Sequence, residues 1–285
     1  MKIFSVFFYG LLFTILNLSG CSEPQTHKGL SRVPPIITPL PLPDTKPVKR
    51  IALVIGNGDY EVRALSTPVN DANDMAEVLE QMGFEVQRVT NAKQATMKTA
   101  IEEFGRKLHS DAKGIFYYSG HGMQYAGENF LIPIGLMSTI LEPDELWHKA
   151  ISATDVLNTM GAKSKLSIMI LDACRDLPLP FKGGVAGLTG MQEKFDEITP
   201  VLDAEGILIA YATSPGKVAL VSSGDNSIYT MHLLRLIKKK VPIETMLREV
   251  RKNVRQNTYD KQIPWYDSSI EGEIYLGGKP PVEVP

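Results

Sequence analysis

A histidine and a cysteine each follow an apolar run of the sequence, and these two residue types together can break a peptide bond. His121 lies in "YYSGHG" (117–122), and Cys174 lies in "ILDACRD" (170–176), 53 positions later (174 minus 121). A thiolate attacks carbonyl carbon, and a neighbouring imidazole can take the thiol proton and return it to the leaving amine. Alone, "GHG" could be a glycine turn with an incidental histidine, and Cys174 a small buried apolar residue. Their joint occurrence favours a catalytic pair.

The elements around these residues are predicted to bring them together. Apolar runs alternate with segments of helical spacing, which predicts an α/β fold with an open, mostly parallel sheet of about six strands covered by helices on both faces. Strands are predicted at 50–57, 84–89, 114–120, 165–174, 206–214 and 273–277, and helices at 70–83, 95–110, 152–161, 228–239 and 243–257. Such sheets bind ligands at the carboxyl ends of their strands. His121 and Cys174 therefore share one edge if the third and fourth strands are neighbours.

Glycine and backbone amides complete the predicted chemistry. Gly120 and Gly122 flank His121 and leave room for a substrate beside it. The backbone N–H groups of Gly122 and Cys174 could point at a developing oxyanion, where each donor is worth about 3 kcal/mol.

Several stretches, taken in order, resemble the caspase-like cysteine peptidases and, within them, the bacterial metacaspases. The resemblance extends from Arg50 to about Gly278. It rests on "RIALVIGNGDY", "PVNDANDM", "YYSGHGMQYAGENFLIPI", "ILDACRD", "LIAYATSPGKVA", "NSIYT" and "QIPWYDSSIEGEIYL". It implies a caspase-like three-layer α/β/α sandwich and a cysteine endopeptidase. The resemblance also implies that His121 is the general base and acid, that Cys174 is the nucleophile, and that Gly122 and Cys174 supply the oxyanion-hole amides.

The resemblance to metacaspases also implies cleavage after arginine or lysine, with Asp172 in the pocket for that side chain. A carboxylate at a strand end is a natural partner for a guanidinium. The alternative for Asp172 is a structural carboxylate that accepts nearby backbone N–H groups. Tyr211 and Ser214 end the fifth predicted strand, where pocket walls are expected, and core packing is the alternative for Tyr211.

One segment departs from the family pattern. Relatives often carry an acidic residue where Leu220, Val221 and Ser222 stand, whereas here Asp225 comes a few residues later. Ser227 matches the serine that follows this acidic loop in relatives, and Tyr229 is the aromatic residue near it. The substrate-binding residues are thus predicted to be Asp172, Tyr211, Ser214, Asp225 and Ser227.

Other polar residues are predicted to be structural. Asp71 and Asp74, near a helix start, are interpreted as helix caps and dipole partners. "IGNGDY" lacks the third glycine of a dinucleotide fingerprint. The remaining histidines lack metal-ligand spacing, and there is no loop of the EF-hand type. No cofactor or metal site is predicted, although some metacaspases need calcium and the sequence does not reveal such a dependence.

The N-terminus is predicted to tether the protein. Residues 1–20 have an early positive charge, a short apolar run and a small-residue end, as a signal peptide does. "LSGC" resembles a bacterial lipobox, which predicts cleavage before a lipidated Cys21; an uncleaved anchor is the alternative. Proline-rich residues 21–49 predict an extended spacer before a peptidase domain at 50–280. The domain is expected outside the cytoplasm, at the cell envelope, and at the outer membrane if the cell has one, because Ser22 follows the cysteine.

Composition limits the partners. The chain has 285 residues, 44% of them hydrophobic, and a net charge of −2, so no nucleic acid partner is expected. Protein or peptide substrates and a membrane bound through lipid are the predicted partners. The alternative function is a catalytically silent caspase-fold module for protein interaction. His121 and Cys174 favour the enzyme because such a module requires neither.

Overall fold

The computed structural model describes residues 48–137, 142, 145–173, 206–214 and 224–278. Predictions that concern Cys21, Cys174, the N-terminal segments and residues 220–222 lie outside the described residues. Within the described ranges, no helix is both long and apolar enough to cross a bilayer.

The described part of the chain alternates strands and helices. The strands are Arg50–Gly56 (β1), Glu85–Thr90 (β2), Lys113–Gly120 (β3), Gly122–Tyr125 (β4), Glu128–Leu131 (β5), Ile151–Ser152 (β6), Leu166–Ala173 (β7), Ile207–Tyr211 (β8) and Trp265–Ser268 (β9). The helices are Pro68–Gln81 (α1), Gln94–Lys107 (α2), Leu146–Lys149 (α3), Ala153–Gly161 (α4), Ile228–Leu236 (α5) and Ile243–Asn257 (α6).

The main sheet has six strands in the order β2-β1-β3-β7-β8-β9. All neighbouring pairs are parallel except β8 and β9, which confirms the predicted mostly parallel sheet. Strand β1 pairs with β2 on one side and with β3 on the other, so the chain changes direction across the sheet at this point. Crevices at the carboxyl ends of strands form at such switch points.

Side-chain alternation along the strands builds the two outer layers. In β3, Ile115 and Tyr117 pack in the apolar cluster that holds α1, α5 and α6. Phe116 and Tyr118 point to the other face, into the cluster that holds α2 and α4. Because successive side chains of a strand point to opposite faces, both faces of a central strand need helices. The predicted three-layer arrangement is therefore confirmed.

One glycine sets the position of α1 above the sheet. A Cβ atom at Gly56 would lie 2.2 Å from the Pro68 carbonyl oxygen and 2.6 Å from the Ala72 Cβ, so a larger residue would push the helix away. The close contact brings the first turn of α1, including Asp71, against the carboxyl end of the sheet.

Two features of the fold differ from the sequence prediction. The last strand is Trp265–Ser268 rather than 273–277. The backbone of 273–277 instead contacts the start of α6, where the Ile274 carbonyl oxygen accepts the Ile243 N–H at 2.8 Å. Ile274, Tyr275 and Leu276 are thus at least partly buried without pairing as a strand. A second, antiparallel sheet of β4, β5 and β6 was also not predicted, and it begins directly after His121.

Candidate active site

The register of β3 and β7 brings the ends of these two strands to the same edge of the sheet. The two strands are parallel neighbours, and Gly120 pairs with Ala173 in the last register position. His121 and Cys174 are each the next residue in the chain. The prediction that these strands are neighbours is confirmed, and Cys174 itself lies outside the described residues.

Two buried tyrosine hydroxyls hold the backbone of His121. The His121 N–H donates to Tyr60 Oη at 3.0 Å, and Tyr118 Oη donates to the His121 carbonyl oxygen at 2.7 Å. The Ile132 N–H donates to the same carbonyl at 3.0 Å, and Tyr60 Oη donates to the Ile132 carbonyl at 2.9 Å. The main chain of His121 is thus fixed on both sides between β3 and β4. We call Tyr60 and Tyr118 the tyrosine clamp.

Only glycine fits immediately before the histidine. A Cβ atom at Gly120 would lie 2.7 Å from Tyr118 Oη and 2.9 Å from Tyr60 Oη. The glycine of "SGHG" is therefore required by the tyrosine clamp, in addition to leaving space for a substrate.

The contacts of the His121 ring determine which nitrogen can act as a base. Nε2 lies 2.7 Å from the Arg63 carbonyl oxygen, which can only accept a hydrogen bond, so in the neutral ring Nε2 carries the proton. Nδ1 then keeps a lone pair, and it is buried with no hydrogen-bond partner among the described residues. The Tyr60 ring lies against the imidazole with centroids 4.4 Å apart. Buried polar atoms without a partner are rare in folded proteins, so this nitrogen needs an explanation.

The carbonyl that accepts the Nε2 proton belongs to a residue with an unusual backbone. Arg63 has a φ of 59°, in the left-handed region that costs an ordinary residue about 1–2 kcal/mol. Such strain concentrates at functional sites when the surrounding structure maintains it.

The surroundings keep the imidazole neutral at pH 7. Burial lowers the pKa of His121, the hydrogen bond to the Arg63 carbonyl raises it, and the Arg63 charge lowers it, with a net shift downward. A neutral imidazole with a free Nδ1 lone pair can accept a proton from a thiol.

Two buried carboxylates lie beside this region, on the α1 and α5 face of the sheet. The Asp172 carboxylate accepts hydrogen bonds from Ser227 Oγ and, at 2.6 Å, from Thr230 Oγ1. The Asp71 carboxylate accepts from Ser119 Oγ and from the Ser227 N–H, both at 2.9 Å. Ser227 therefore contacts both acids. We call Asp71 and Asp172 the carboxylate pair.

The carboxylate pair favours protonation in the absence of a cation. Burial and then the Asp172 charge raise the pKa of Asp71 to about 7, and burial raises the pKa of Asp172 despite the hydroxyl groups that lower it. No lysine or arginine of the described ranges forms an ion pair with either acid. Two buried acids with hydroxyl donors on one side, and with no basic partner among the described residues, can bind a guanidinium or an ammonium group.

The interpretation of Asp71 as a helix cap was wrong, although Asp71 does lie in the first turn of α1, as a dipole partner would. Thr67 is the N-cap residue of α1 and accepts no side-chain capping bond, while Asp71 is completely buried and contacts Ser119 and Ser227. The motif "PVNDANDM" pointed to this segment, but helix position alone could not separate a cap from a site residue. Asp74, by contrast, accepts a hydrogen bond from Asn226 Nδ2 at 2.9 Å.

The remaining predicted residues divide into those near the carboxylate pair and those away from it. Ser227 lies with Asp172, as described above. Tyr211 is buried in the cluster of the α2 and α4 face, opposite the carboxylate pair, and Ser214 Oγ donates to the Ile263 carbonyl at 2.8 Å. Asp225 is exposed in the bend before α5.

Gly122 begins β4, where it pairs with Leu131, so its backbone position is fixed by the small sheet. Within the ranges that the structure covers, no group of three or more His, Cys, Asp or Glu side chains could hold a metal ion.

Comparison with known proteins identifies the family to which the chain belongs. A family model described as the caspase domain matches residues 49–275. The human mucosa-associated lymphoid tissue lymphoma translocation protein 1 and its mouse homolog are each 26% identical to the chain over 214 residues. Each alignment covers 72% of this chain and 24% or 23% of the relative. The chain thus spans about a quarter of the length of the curated relatives it matches.

Proposed function

Because the chain belongs to the caspase family, we propose that it is a cysteine endopeptidase in which His121 activates Cys174. The family match confirms the predicted caspase-like resemblance, while membership of the metacaspase subgroup stays a prediction. The observation that carries the proposal is the His121 ring, whose Nε2 is bound to the Arg63 carbonyl and whose buried Nδ1 has no partner among the described residues. We propose that the Cys174 thiol is the partner of Nδ1, since Cys174 is the next residue in the chain after the Gly120–Ala173 pair.

In the proposed reaction, Nδ1 of His121 takes the Cys174 thiol proton and the thiolate attacks the scissile carbonyl carbon. The N–H groups of Gly122 and Cys174 stabilise the oxyanion. The imidazolium gives its proton to the leaving amine as the C–N bond breaks, which leaves a thioester. Water then hydrolyses the thioester, with His121 accepting a water proton and returning it to the sulfur.

We propose that the enzyme cleaves after arginine or lysine. The support is the carboxylate pair, in which Ser227 holds Asp71 and Asp172 at the same strand edge as His121. A basic side chain would take the place of the proton that the raised pKa values of the two acids favour, and it would supply a positive charge. Asp71 is thereby added to the residues proposed for the specificity pocket, beside Asp172 and Ser227.

The proposal is tested with the purified full chain in detergent and fluorogenic peptides that end in arginine, aspartate or a neutral residue. Arginine peptides should be cleaved fastest, and Cys174→Ala should lose all cleavage. The matched control is Cys21→Ser, which removes the other cysteine and should cleave like the wild type. Cleavage that survives Cys174→Ala overturns the proposed nucleophile, and no cleavage of any peptide favours the silent interaction module.

We further propose that the mature protein is anchored to the cell envelope by lipid on Cys21. The support is the signal-peptide composition of residues 1–20 and the "LSGC" ending. Metabolic labelling with a fatty-acid analogue should mark the wild type and Cys174→Ala equally and should not mark Cys21→Ser. Full labelling of Cys21→Ser would contradict the anchor.

A further inference from the structure

Helix α6 has two faces of opposite character. Its buried face packs Met246, Val250 and Val254 into the core. The other face carries Arg248, Arg251, Lys252 and Arg255, at the spacing of neighbours along a helix. With Tyr259 and Asp260, these basic residues line a groove of about 570 Å³.

One arginine of this groove is held in place before any ligand arrives. Arg251 Nε donates to the Pro264 carbonyl oxygen at 2.7 Å. Its guanidinium lies over the rings of Trp265 and Tyr266, 5.5 Å and 5.3 Å from their centroids. The guanidinium has five N–H groups and this hydrogen bond uses one, so the others remain to bind an acceptor without a loss of side-chain freedom.

The groove has an excess of positive charge. Arg255 Nε contacts Asp260 Oδ1 at 2.6 Å, and Asp260 is the one acid among the lining residues of the groove. Arg248 Nη2 donates to the neutral Thr245 hydroxyl at 2.7 Å. Four cations and one carboxylate leave a net charge of +3 on a chain whose overall charge is −2. The groove is therefore a local basic site on a protein that is acidic overall.

The groove begins at the same edge of the sheet as the candidate active site. Trp265 pairs with Tyr211 at the carboxyl end of β8. Gln262 Nε2 donates to the Ala212 carbonyl at 3.0 Å, and Ser214 Oγ donates to the Ile263 carbonyl. The segment that joins α6 to β9 thus lies along the edge where His121 and Asp172 are found, and α6 leads away from it.

We propose that the α6 groove is an exosite that binds an acidic segment of a protein substrate. Guanidinium groups match carboxylates in planar, two-point contacts. The basic residues span about 10 Å of helix at 1.5 Å per residue. An extended peptide covers that length in about three residues, so alternate acidic side chains could meet successive basic ones. The Arg251 guanidinium, held by the Pro264 carbonyl, matches a carboxylate in geometry, which favours an acidic peptide over a membrane surface. The expected effect of the groove on cleavage rests on the proposed peptidase function, whereas the expected binding of an acidic peptide to the groove does not.

The test measures binding of a fluorescein-labelled peptide of alternating Glu and Ser to the purified full chain in non-ionic detergent, by fluorescence anisotropy. The variant Arg248→Glu with Lys252→Glu should bind at least about tenfold more weakly, because like charges then face each other. The matched control is Lys98→Glu with Arg106→Glu, which changes the same charge on exposed positions of α2, in the opposite layer. It should bind like the wild type, and a Gln-Ser peptide should not bind.

A second measurement connects the groove to cleavage. An arginine-containing substrate joined to the Glu-Ser segment should have a lower KM than its Gln-Ser counterpart, and the α6 variant should remove the difference. A short arginine peptide, which cannot reach the groove, reports the peptidase function separately. The exosite is overturned if the α2 control loses binding equally or if the peptide does not bind. It is also overturned if vesicles of phosphatidylglycerol bind through α6 and the peptide does not.

Discussion

His121 and Asp172 lie at the ends of neighbouring strands, and the protein holds their side chains in different ways. The backbone of His121 is fixed by the tyrosine clamp, while its ring keeps one nitrogen without a partner among the described residues. The carboxylate of Asp172 accepts two hydroxyl groups, and Ser227 ties it to Asp71. The protein thus fixes the main chain of His121, whereas it fixes the side-chain carboxylate of Asp172.

Burial also shifts the pKa values of the two regions in opposite directions. It lowers the pKa of His121 and raises the pKa of both acids, so each group is driven toward its neutral form. A neutral imidazole can already act as a base. A neutral carboxyl group, in contrast, must release a proton before it can pair with a cation. The comparison predicts that the histidine region controls kcat and the carboxylate pair controls the choice and affinity of the substrate.

The largest effect is expected from His121→Gln, which removes the base. We expect kcat to fall about a thousandfold, within the range for loss of a general base. The rate of Cys174 alkylation by iodoacetamide should also shift to higher pH, because the thiolate loses its partner. His148→Gln, at an exposed histidine, is the control and should leave both measurements unchanged. An alkylation profile that is the same in His121→Gln and wild type would show that the two residues do not act together.

A smaller and more selective effect is expected from Asp172→Asn. We expect kcat/KM for arginine peptides to fall more than tenfold, since a buried charge partner is worth a few kcal/mol, while neutral peptides change little. Asp155→Asn, at an exposed acid in the first turn of α4, controls for loss of one charge. Equal losses on arginine and neutral peptides would give Asp172 a structural role.

Tyr60→Phe tests the tyrosine clamp. Loss of the hydroxyl leaves the buried His121 N–H without its acceptor, at a cost of about 1–3 kcal/mol. We expect kcat to fall about tenfold with KM unchanged, together with a lower melting temperature, since about 1.4 kcal/mol is a tenfold change. The matched control is Tyr275→Phe, which removes the hydroxyl that donates to exposed Glu273 at 2.6 Å. An increase in KM with kcat unchanged would show that Tyr60 binds the substrate rather than positions His121.

The smallest effect is a pH dependence of substrate affinity. Because the pKa of Asp71 is raised to about 7, lowering the pH through this value adds a proton to Asp71 and weakens the negative charge that we propose attracts arginine. KM for arginine peptides should therefore rise severalfold between pH 8 and pH 6, because protons then compete with the arginine side chain for the carboxylate pair. KM for neutral peptides should stay level, and Asp71→Asn should flatten the arginine profile. A level arginine profile in the wild type would contradict protonation of the pair.

Much of the site could be predicted because the relevant signals are local. Apolar runs that end in "SGHG" and "DAC" mark strand ends, and parallel neighbours bring their ends to one edge. The pairing of Gly120 with Ala173 confirms that these strands are neighbours. The sequence also identified Asp172 and Ser227, which contact each other, because both stand in motifs shared with the caspase-like family.

Residues whose roles depend on distant contacts could not be assigned in this way. Asp71 has the sequence position of a helix-start acid, and only the close approach of α1 to Gly56 places it against the strand edge. Tyr60 and the Arg63 carbonyl reach His121 from about sixty residues away in the chain, so no local sequence pattern indicates their contacts. Likewise, β9 pairs with β8 through backbone hydrogen bonds that any side-chain pattern can make.

By itself, the sequence determined the alternation of strands and helices and the location of chemistry at their ends, since periodicity and apolar content reflect burial along a single segment. The tertiary structure decided which His121 nitrogen lacks a partner among the described residues, which acid joins Asp172 and where the basic residues of α6 form a groove. Each of these depends on atoms from elements far apart in the chain. Their distances are set by how the layers pack, which the order of residues in any one element does not specify.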